Sequence, residues 1–310
     1  MQIITGKKIK PLAIMAYSFH GLGKTQFGSE FEKPIFIGNE ENDEIDAARF
    51  PIVQTWKDFT DQLDYLLKNK TEYKTLVIDT IDALEQVAEM DILKPEKGKT
   101  MATAFGGYGK AYEKMHQMFL EIREKYLKPI RDKIGMNIVI LSHAEKDKSY
   151  EDPITMISYN SYMTSMHKKV KPIFEDWVSA VLFITYKNFK IEGSDGKERA
   201  IGDGQRIILT EQRPSHVAKN RFDLPYELEY VKDQTVKELL VMIKNYYGKS
   251  DSYKHKEVEK VNETEKEIND ILKRIKDESI VDKIKLSIAR AGGDESELER
   301  IKSKAEKLAK

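Results

Sequence analysis

The 310-residue chain contains no cysteine, which excludes disulfides, thiolate metal ligands and thiol nucleophiles. It also carries no net charge. Its 52 basic and 52 acidic residues balance, so any polyanion must be met by a local patch rather than by the whole molecule. No apolar run approaches the roughly 18 residues of a membrane span, and MQIITGKKIK lacks the apolar stretch of a secretion signal. A cytosolic protein with no membrane partner is expected. What is present is an apolar fraction of 40%, enough for a real core, beside 34% charged residues. The length suits one large α/β domain with an appendage, or two domains.

Through about residue 245, short apolar runs alternate with longer amphipathic ones. PLAIMAY (11–17), PIFIG (34–38), TLVIDT (75–80) and NIVILSH (137–143) have the near-continuous apolar character of strands buried on both faces. Residues 57–70 and 108–134 carry helical periodicity, through Phe59, Leu63, Leu66 and Leu67 in one and Met115, Met118, Phe119, Ile122 and Tyr126 in the other. This alternation implies a mostly parallel sheet with crossover helices on its faces. VSAVLFITYKNFKI (178–191) and QRIILT (205–210) read as later strands joined by a loose Gly/Asp-rich turn.

Composition shifts near Gly248. Residues 1–248 are expected to form the α/β domain, 249–262 a polar linker, and 263–310 a charged helical arm. Of the last 60 residues 30 are charged, 15 of each sign, with Ile268, Ile271, Leu272 and Ile275 on one face. Two helices, 263–290 and 294–309, are expected around Ala-Gly-Gly at 291–293. Asn262 with Glu265, and Asp294 with Glu297, have capping-box spacing. The arm reads as a helical hairpin or an oligomerisation element.

SFHGLGKT (18–25) follows a predicted strand and precedes a helix, the context of a phosphate-binding loop. Its glycines let successive backbone N–H groups turn toward phosphate oxygens. Ser18, His20, Gly21, Leu22, Gly23, Lys24, Thr25 and Gln26 are the expected nucleotide contacts, with ATP and Mg²⁺ as ligands. Lys24 would reach the β- and γ-phosphates and the Thr25 hydroxyl would meet Mg²⁺. Ser18 stands where this motif commonly has glycine, which is compatible if that residue needs no positive φ.

Asp79 ends an apolar strand at the same sheet edge and can assist the metal through water, with Asp82 as a near alternative. Glu40 follows the strand 34–38 and is the candidate general base, with Glu41 as its rival. His143 ends NIVILSH, where it can contact a terminal phosphate or simply bond within a strand-end turn. In HVAKNRFDLP, Lys219 and Arg221 are two apart, so an extended backbone projects both to one side. They can complete a neighbouring subunit's site or form a solvated basic edge.

The order of these motifs resembles the RecA-like ATPase core. It is most similar to the phage-encoded group of RecA-like single-strand annealing proteins, in YSFHGLGKT, LVIDTIDAL, GGYGKAYEKM, VILSHAE and AKNRFDLP, over roughly residues 10–230. The resemblance implies a water-activating role for Glu40, phosphate sensing for His143, and a trans-acting cation pair in Lys219 and Arg221. It further implies homo-oligomers with sites completed in trans, single-stranded DNA as partner, and DNA contacts after the sensor strand. Here those fall in 144–171, where Lys146, Lys148, Tyr159, Tyr162, Lys168, Lys169 and Lys171 offer phosphate neutralisation and base stacking; packing of the same tyrosines is the other expectation. The expected function is an ATP-dependent phage recombination protein acting in the bacterial cytoplasm by annealing or strand pairing. A hexameric translocase or helicase motor is one alternative. A nucleotide-gated loader, whose arm meets a replication or single-strand-binding protein, is another.

Overall fold

The computed structural model describes residues 8–41, 44–151, 156–192, 198–202, 204–272, 275, 280–281, 284–285, 287–288 and 295–308. The chain divides into two compact units: Lys8–Ile243, and Lys244–Lys310 with the first seven residues.

In the first unit the apolar runs become the centre of a sheet. Strands β1 (Ala13–Ser18), β2 (Pro34–Ile37), β3 (Ala48–Arg49), β4 (Thr75–Ile78), β5 (Asn137–Glu151) and β7 (Ala180–Tyr186) run parallel, and β6 (Ser158–Thr164) pairs antiparallel with β5. The sheet order is β12-β10-β7-β1-β5-β4-β2-β3, where β10 (Arg206–Leu209) and β12 (Glu227–Glu229) form an antiparallel extension. β11 (Lys219–Asn220) pairs antiparallel with β7. Every residue of β1 and β4 is buried, which explains their unbroken apolar sequence.

Helices cover the sheet: α1 (Lys24–Ser29), α2 (Trp56–Lys68), α3 (Ile81–Leu93), α4 (Lys110–Glu121), the short α5 (Lys171–Glu175) and the start of α6 (Thr235–Leu272). Alternate β1 residues Ala13, Met15 and Tyr17 join Phe59, Leu63, Ile81, Leu84, Met115 and Phe119 in the main core. α2 begins with a capping box in which Thr55 and Asp58 satisfy each other's backbone N–H groups. The mostly parallel α/β architecture expected from the sequence is thus present.

Several boundaries differ. The helix expected over 108–134 is α-helical only to Glu121 and continues as wider π-turns at Ile122–Leu127 and Ile130–Ile134. Pro129, which has no N–H to donate, sits between them. The run 178–191 is two strands, because β8 (Phe189–Glu192) leaves the main sheet and pairs with β9 (Glu198–Ile201) in a separate two-stranded sheet. Residues 144–151, expected as part of a loop, continue β5 beyond the sheet as an arm paired with β6.

The second unit has its own apolar cluster: Ile268, Leu272, Ile284, Leu298 and Ala305 are buried, with Ile271, Ile275 and Ile301 packed on them. Lys302 pairs with Glu267 across it. Segment 249–262, expected as a linker, lies within α6, which ends at Leu272; of the rest of the helix expected from 263 to 290, Ile275 is non-helical and residues 280–281, 284–285 and 287–288 are helical. No proline occurs from 249 to 272, and Lys and Glu are good helix formers, so nothing in the local chemistry stops the helix. A further helix spans Glu295–Leu308; its expected cap, Asp294, and the Ala-Gly-Gly turn lie outside the described residues. No described helix is long and apolar enough to cross a membrane.

Candidate functional site

Four parallel strands, β1, β5, β4 and β2, deliver the site to one sheet edge. β5 lies between β1 and β4, and Ser18 on β1 pairs in register with His143 on β5. A crevice at the carboxyl ends of such strands is where open α/β sheets bind ligands. Ser18 is buried, its hydroxyl bonds to the Phe19 carbonyl, and it is not among the residues with positive φ, so serine is accommodated there. The turn beyond it depends on glycine: φ is +75° at Gly21 and +94° at Gly23. A Cβ on Gly23 would also lie 2.7 Å from Arg206 Nη1.

Arg206 and Tyr230 support the loop from behind, and neither was singled out in the sequence. Arg206 Nη1 donates to the Leu22 carbonyl at 3.3 Å and the Tyr230 hydroxyl to the Gly23 carbonyl at 3.2 Å, with the guanidinium 4.7 Å from the Tyr230 ring centre. Leu22 itself is buried, and Gln26 turns along α1 toward Ser29 and Glu30, so its amide does not point into the loop.

Beyond the loop Lys24, Asp79 and Glu40 converge around the Thr25 hydroxyl. Thr25 Oγ1 donates to Asp79 Oδ2 at 2.7 Å. Asp79 is 1% exposed, and burial, reinforced by Glu40, pushes its carboxyl up to about 6 against the Thr25 hydrogen bond and the Lys24 charge. Lys24 is buried too; desolvation lowers its pKa, while Glu40, Asp79 and Asp82 oppose that shift. Glu40 Oε1 accepts from Thr80 Oγ1 at 2.9 Å. Thr80 occupies the N-cap of α3, yet makes no side-chain cap bond there. Its hydroxyl is given to Glu40. Glu40 arrives this close because residue 38 is glycine: a Cβ there would lie 1.7 Å from the Asp79 carbonyl oxygen. Glu41 is exposed.

His143 faces the same group. Its backbone N–H and ring Nδ1 meet Asp82 Oδ1 and Oδ2 at 2.9 and 2.8 Å, its Nε2 is 3.7 Å from Glu40 Oε1, and its ring centre is 4.0 Å from that of His20. Burial opposes the charge on Asp82, but the bonds from His143 outweigh it and hold the carboxyl below its ordinary range. Asp82 therefore belongs to His143 rather than to a metal position beside Thr25. A cavity of about 110 Å³ is lined by Thr25, Gly38, Glu40, Asp79, Arg49 and Phe50 among others.

The donor set fits a nucleotide with its metal. Among the described residues no group of three or more His, Cys, Asp or Glu can hold a metal unaided. One hydroxyl and one buried carboxylate instead suit Mg²⁺, which keeps waters and takes most remaining ligands from phosphates. Such an ion would also relieve the unfavourable burial of the Asp79 charge.

The remaining expected residues lie elsewhere. Lys219 Nζ donates to the carbonyls of Glu175 and Asp176, both at 2.8 Å, so it closes the end of α5 in its own chain; Arg221 is exposed. Of the expected DNA contacts, Lys146 and Lys168 are exposed and Tyr159 is half-buried. Lys148 lies on β5 with its side chain outside the described residues. Lys169 pairs with Glu113 at 2.9 Å, and Lys171 pairs with Glu145 at 3.1 Å. Tyr162 is a packing residue, stacked on Phe183 at 5.9 Å and edge-on to Phe19 at 5.3 Å. The basic and aromatic residue types that suited DNA contacts did not show which side chains the β6 pleat turns toward the core.

The mostly parallel α/β sheet and the loop at 18–25 define a P-loop nucleotide-binding protein. Comparison with known families agrees: the AAA domain model matches residues 10–222, and the chain belongs to that family. No curated protein matches it in sequence. Among solved structures it is similar to a KaiC-like protein from the hyperthermophilic archaeon Pyrococcus horikoshii OT3, at 14% identity and a TM-score of 0.35, covering 72% of this chain and 90% of that one.

Proposed function

We propose that the protein binds and hydrolyses ATP with Mg²⁺ and uses that cycle to assemble on single-stranded DNA, promoting annealing or strand pairing in phage recombination. The observation that carries the hydrolytic part is the convergence of Lys24, Thr25, Asp79 and Glu40 at one sheet edge. Mg²⁺, held by Thr25 and through water by Asp79, would neutralise charge developing on the phosphates. Lys24 holds the β- and γ-phosphates. Glu40 accepts the proton of the water whose oxygen bonds to the γ-phosphorus, as the bond to the bridging oxygen breaks and ADP leaves. Thr80 keeps the Glu40 carboxylate aimed.

The DNA part rests on the β5–β6 arm, which continues directly from the strand bearing His143 and carries exposed Lys146, with exposed Lys168 following it. Exposed Arg221 on the sheet edge suits a cation offered to a neighbouring copy; Lys219 holds α5 in place. Steady-state ATPase with and without single-stranded DNA tests the reading. Mg²⁺-dependent turnover stimulated by DNA supports it, and turnover indifferent to DNA removes the recombination role.

One observation favours a second reading. The separate apolar cluster of the C-terminal unit suits an independent docking module, as in a loader that meets a replication or single-strand-binding protein. ATP-dependent binding of such a protein, without DNA binding by this chain, would favour it.

A further inference from the structure

α3 links the site to the segment after the arm through two carboxylates one turn apart. Asp82 takes both bonds from His143, and Glu85, on the same helix face three residues later, accepts the His167 N–H at 3.0 and 2.9 Å. Glu85 is a buried carboxylate in the main core's rim, 8% exposed, and burial pushes it up to about 8. A second tie is direct: the Ser165 N–H donates to the His143 carbonyl at 2.8 Å. Around these anchors the His167 ring stacks on Tyr112 at 4.5 Å, and the Lys169 carbonyl meets His116 Nδ1 at 2.8 Å, while Lys168 stays exposed.

We propose that Asp82 and Glu85 are positioning residues that transmit the state of the Glu40–His143 pair to segment 165–171. The inference rests on the nucleotide-binding reading. A change at the γ-phosphate position moves the His143 ring. One hydrogen bond holds that ring to Asp82 and a second ties Asp82 to the His143 backbone N–H, so α3 or the Asp82 side chain must follow it. Glu85 shares the rigid helix and holds the segment by its backbone, where no side-chain substitution in the segment can loosen the grip. Asp82→Asn weakens this link selectively: its carbonyl still accepts the His143 N–H, but its uncharged amide meets ring Nδ1 only by donating to it, which forces the ring into the other tautomer.

The chain has no cysteine, so Lys168→Cys provides a single site for an environment-sensitive fluorophore in the full-length protein. The label is followed on adding Mg²⁺ with a non-hydrolysable ATP analogue, whose affinity is measured separately with a fluorescent nucleotide. The expected result is a clear response in the parent, reduced at least about five-fold by Asp82→Asn and by Glu85→Ala while nucleotide affinity changes less than about three-fold. Glu85→Gln, which keeps an acceptor for the His167 N–H, should restore it. Glu113→Gln, which frees Lys169 in the same segment, should leave it unchanged. An undiminished response in Asp82→Asn overturns the proposal, as does a silent label in a parent that binds the analogue. If Glu85→Ala does not melt cooperatively, Asp82→Asn decides. A parent that binds no nucleotide overturns the nucleotide reading itself, and this inference with it.

Discussion

Thr25 and Asp79 are joined by a 2.7 Å hydrogen bond although the strands that lead to them, β1 and β4, are separated in the sheet by β5. The bond holds a hydroxyl and a carboxylate where one cation can be shared, and it places a nearly inaccessible charge beside a second carboxylate, Glu40. This arrangement favours ligand binding over the stability of the ligand-free fold.

Asp79→Asn should therefore stabilise the nucleotide-free protein while weakening Mg²⁺–nucleotide binding. The carboxyl is raised from 3.8 to about 6 in the folded state, so its ionisation opposes folding. The penalty is absent below the unfolded value, grows as pH rises between the two values, and is complete above the folded one. At pH 8 the variant should gain up to ~3 kcal/mol, an advantage that vanishes near pH 4. Chemical denaturation at the two pH values measures this; a less stable variant at pH 8 would contradict it.

Glu40→Gln should bind ATP normally and lose about 10²–10⁴ in turnover, because the amide keeps the Thr80 hydrogen bond but cannot accept a proton. Thr80→Val should lose less, about ten-fold, since it frees the carboxylate without removing it. Single-turnover hydrolysis of bound ATP distinguishes them. The large defect appearing in Glu41→Gln would show that the base has been misassigned.

Lys219 and Arg221 should separate in their effects. Lys219→Ala leaves two carbonyls at the end of α5 without their donor and should cost about 1 kcal/mol of stability in the monomer. Arg221→Ala should leave the melting temperature unchanged but lower turnover and assembly. Mixing it with a Lys24→Ala variant should restore part of the turnover if the cation acts across subunits. No rescue in demonstrably mixed assemblies would place Arg221 outside the neighbour's site.

The arm makes a parallel distinction. Charge reversal at Lys146 or Lys168 should weaken single-strand binding and flatten its salt dependence by about 0.7 in log–log slope per lost contact. Tyr162→Ala should instead cost about 2 kcal/mol of stability, because its ring packs on Phe183 and Phe19. Salt titrations and thermal melts check the two; a DNA defect in Tyr162→Ala at full stability would reverse its assignment.

Much of the site was legible in the sequence, because buried parallel strands announce themselves as apolar runs and polar residues at their ends fall on one edge. Glu40, Asp79 and His143 were read that way, Lys24 and Thr25 from the glycine-rich loop, and the structure brings the five side chains together. What stayed hidden depended on contacts across the sheet. Nothing local to Gly38 reports that Asp79 will pass so close, and Arg206 and Tyr230 reach the loop only because β10 and β12 fold back beside β7. Thr80 was not singled out, because a threonine just before a helix is commonly only its cap. Tyr162 and Lys219 were assigned from pattern, whereas their packing depends on the pleat and on the position of α5. In the C-terminal unit, polarity at 249–262 suggested a linker, but polarity without proline or glycine is equally compatible with the helix that forms.

The account stands most directly on whether the loop at 18–25 holds a nucleotide. Equilibrium binding of ATP with Mg²⁺ to the parent and to Lys24→Ala measures it. The account predicts saturable, Mg²⁺-dependent binding by the parent and at least about 50-fold weaker binding by the variant, since one charge is removed from the phosphate cradle. Equal affinity in the two proteins, or no binding by the parent, would contradict it.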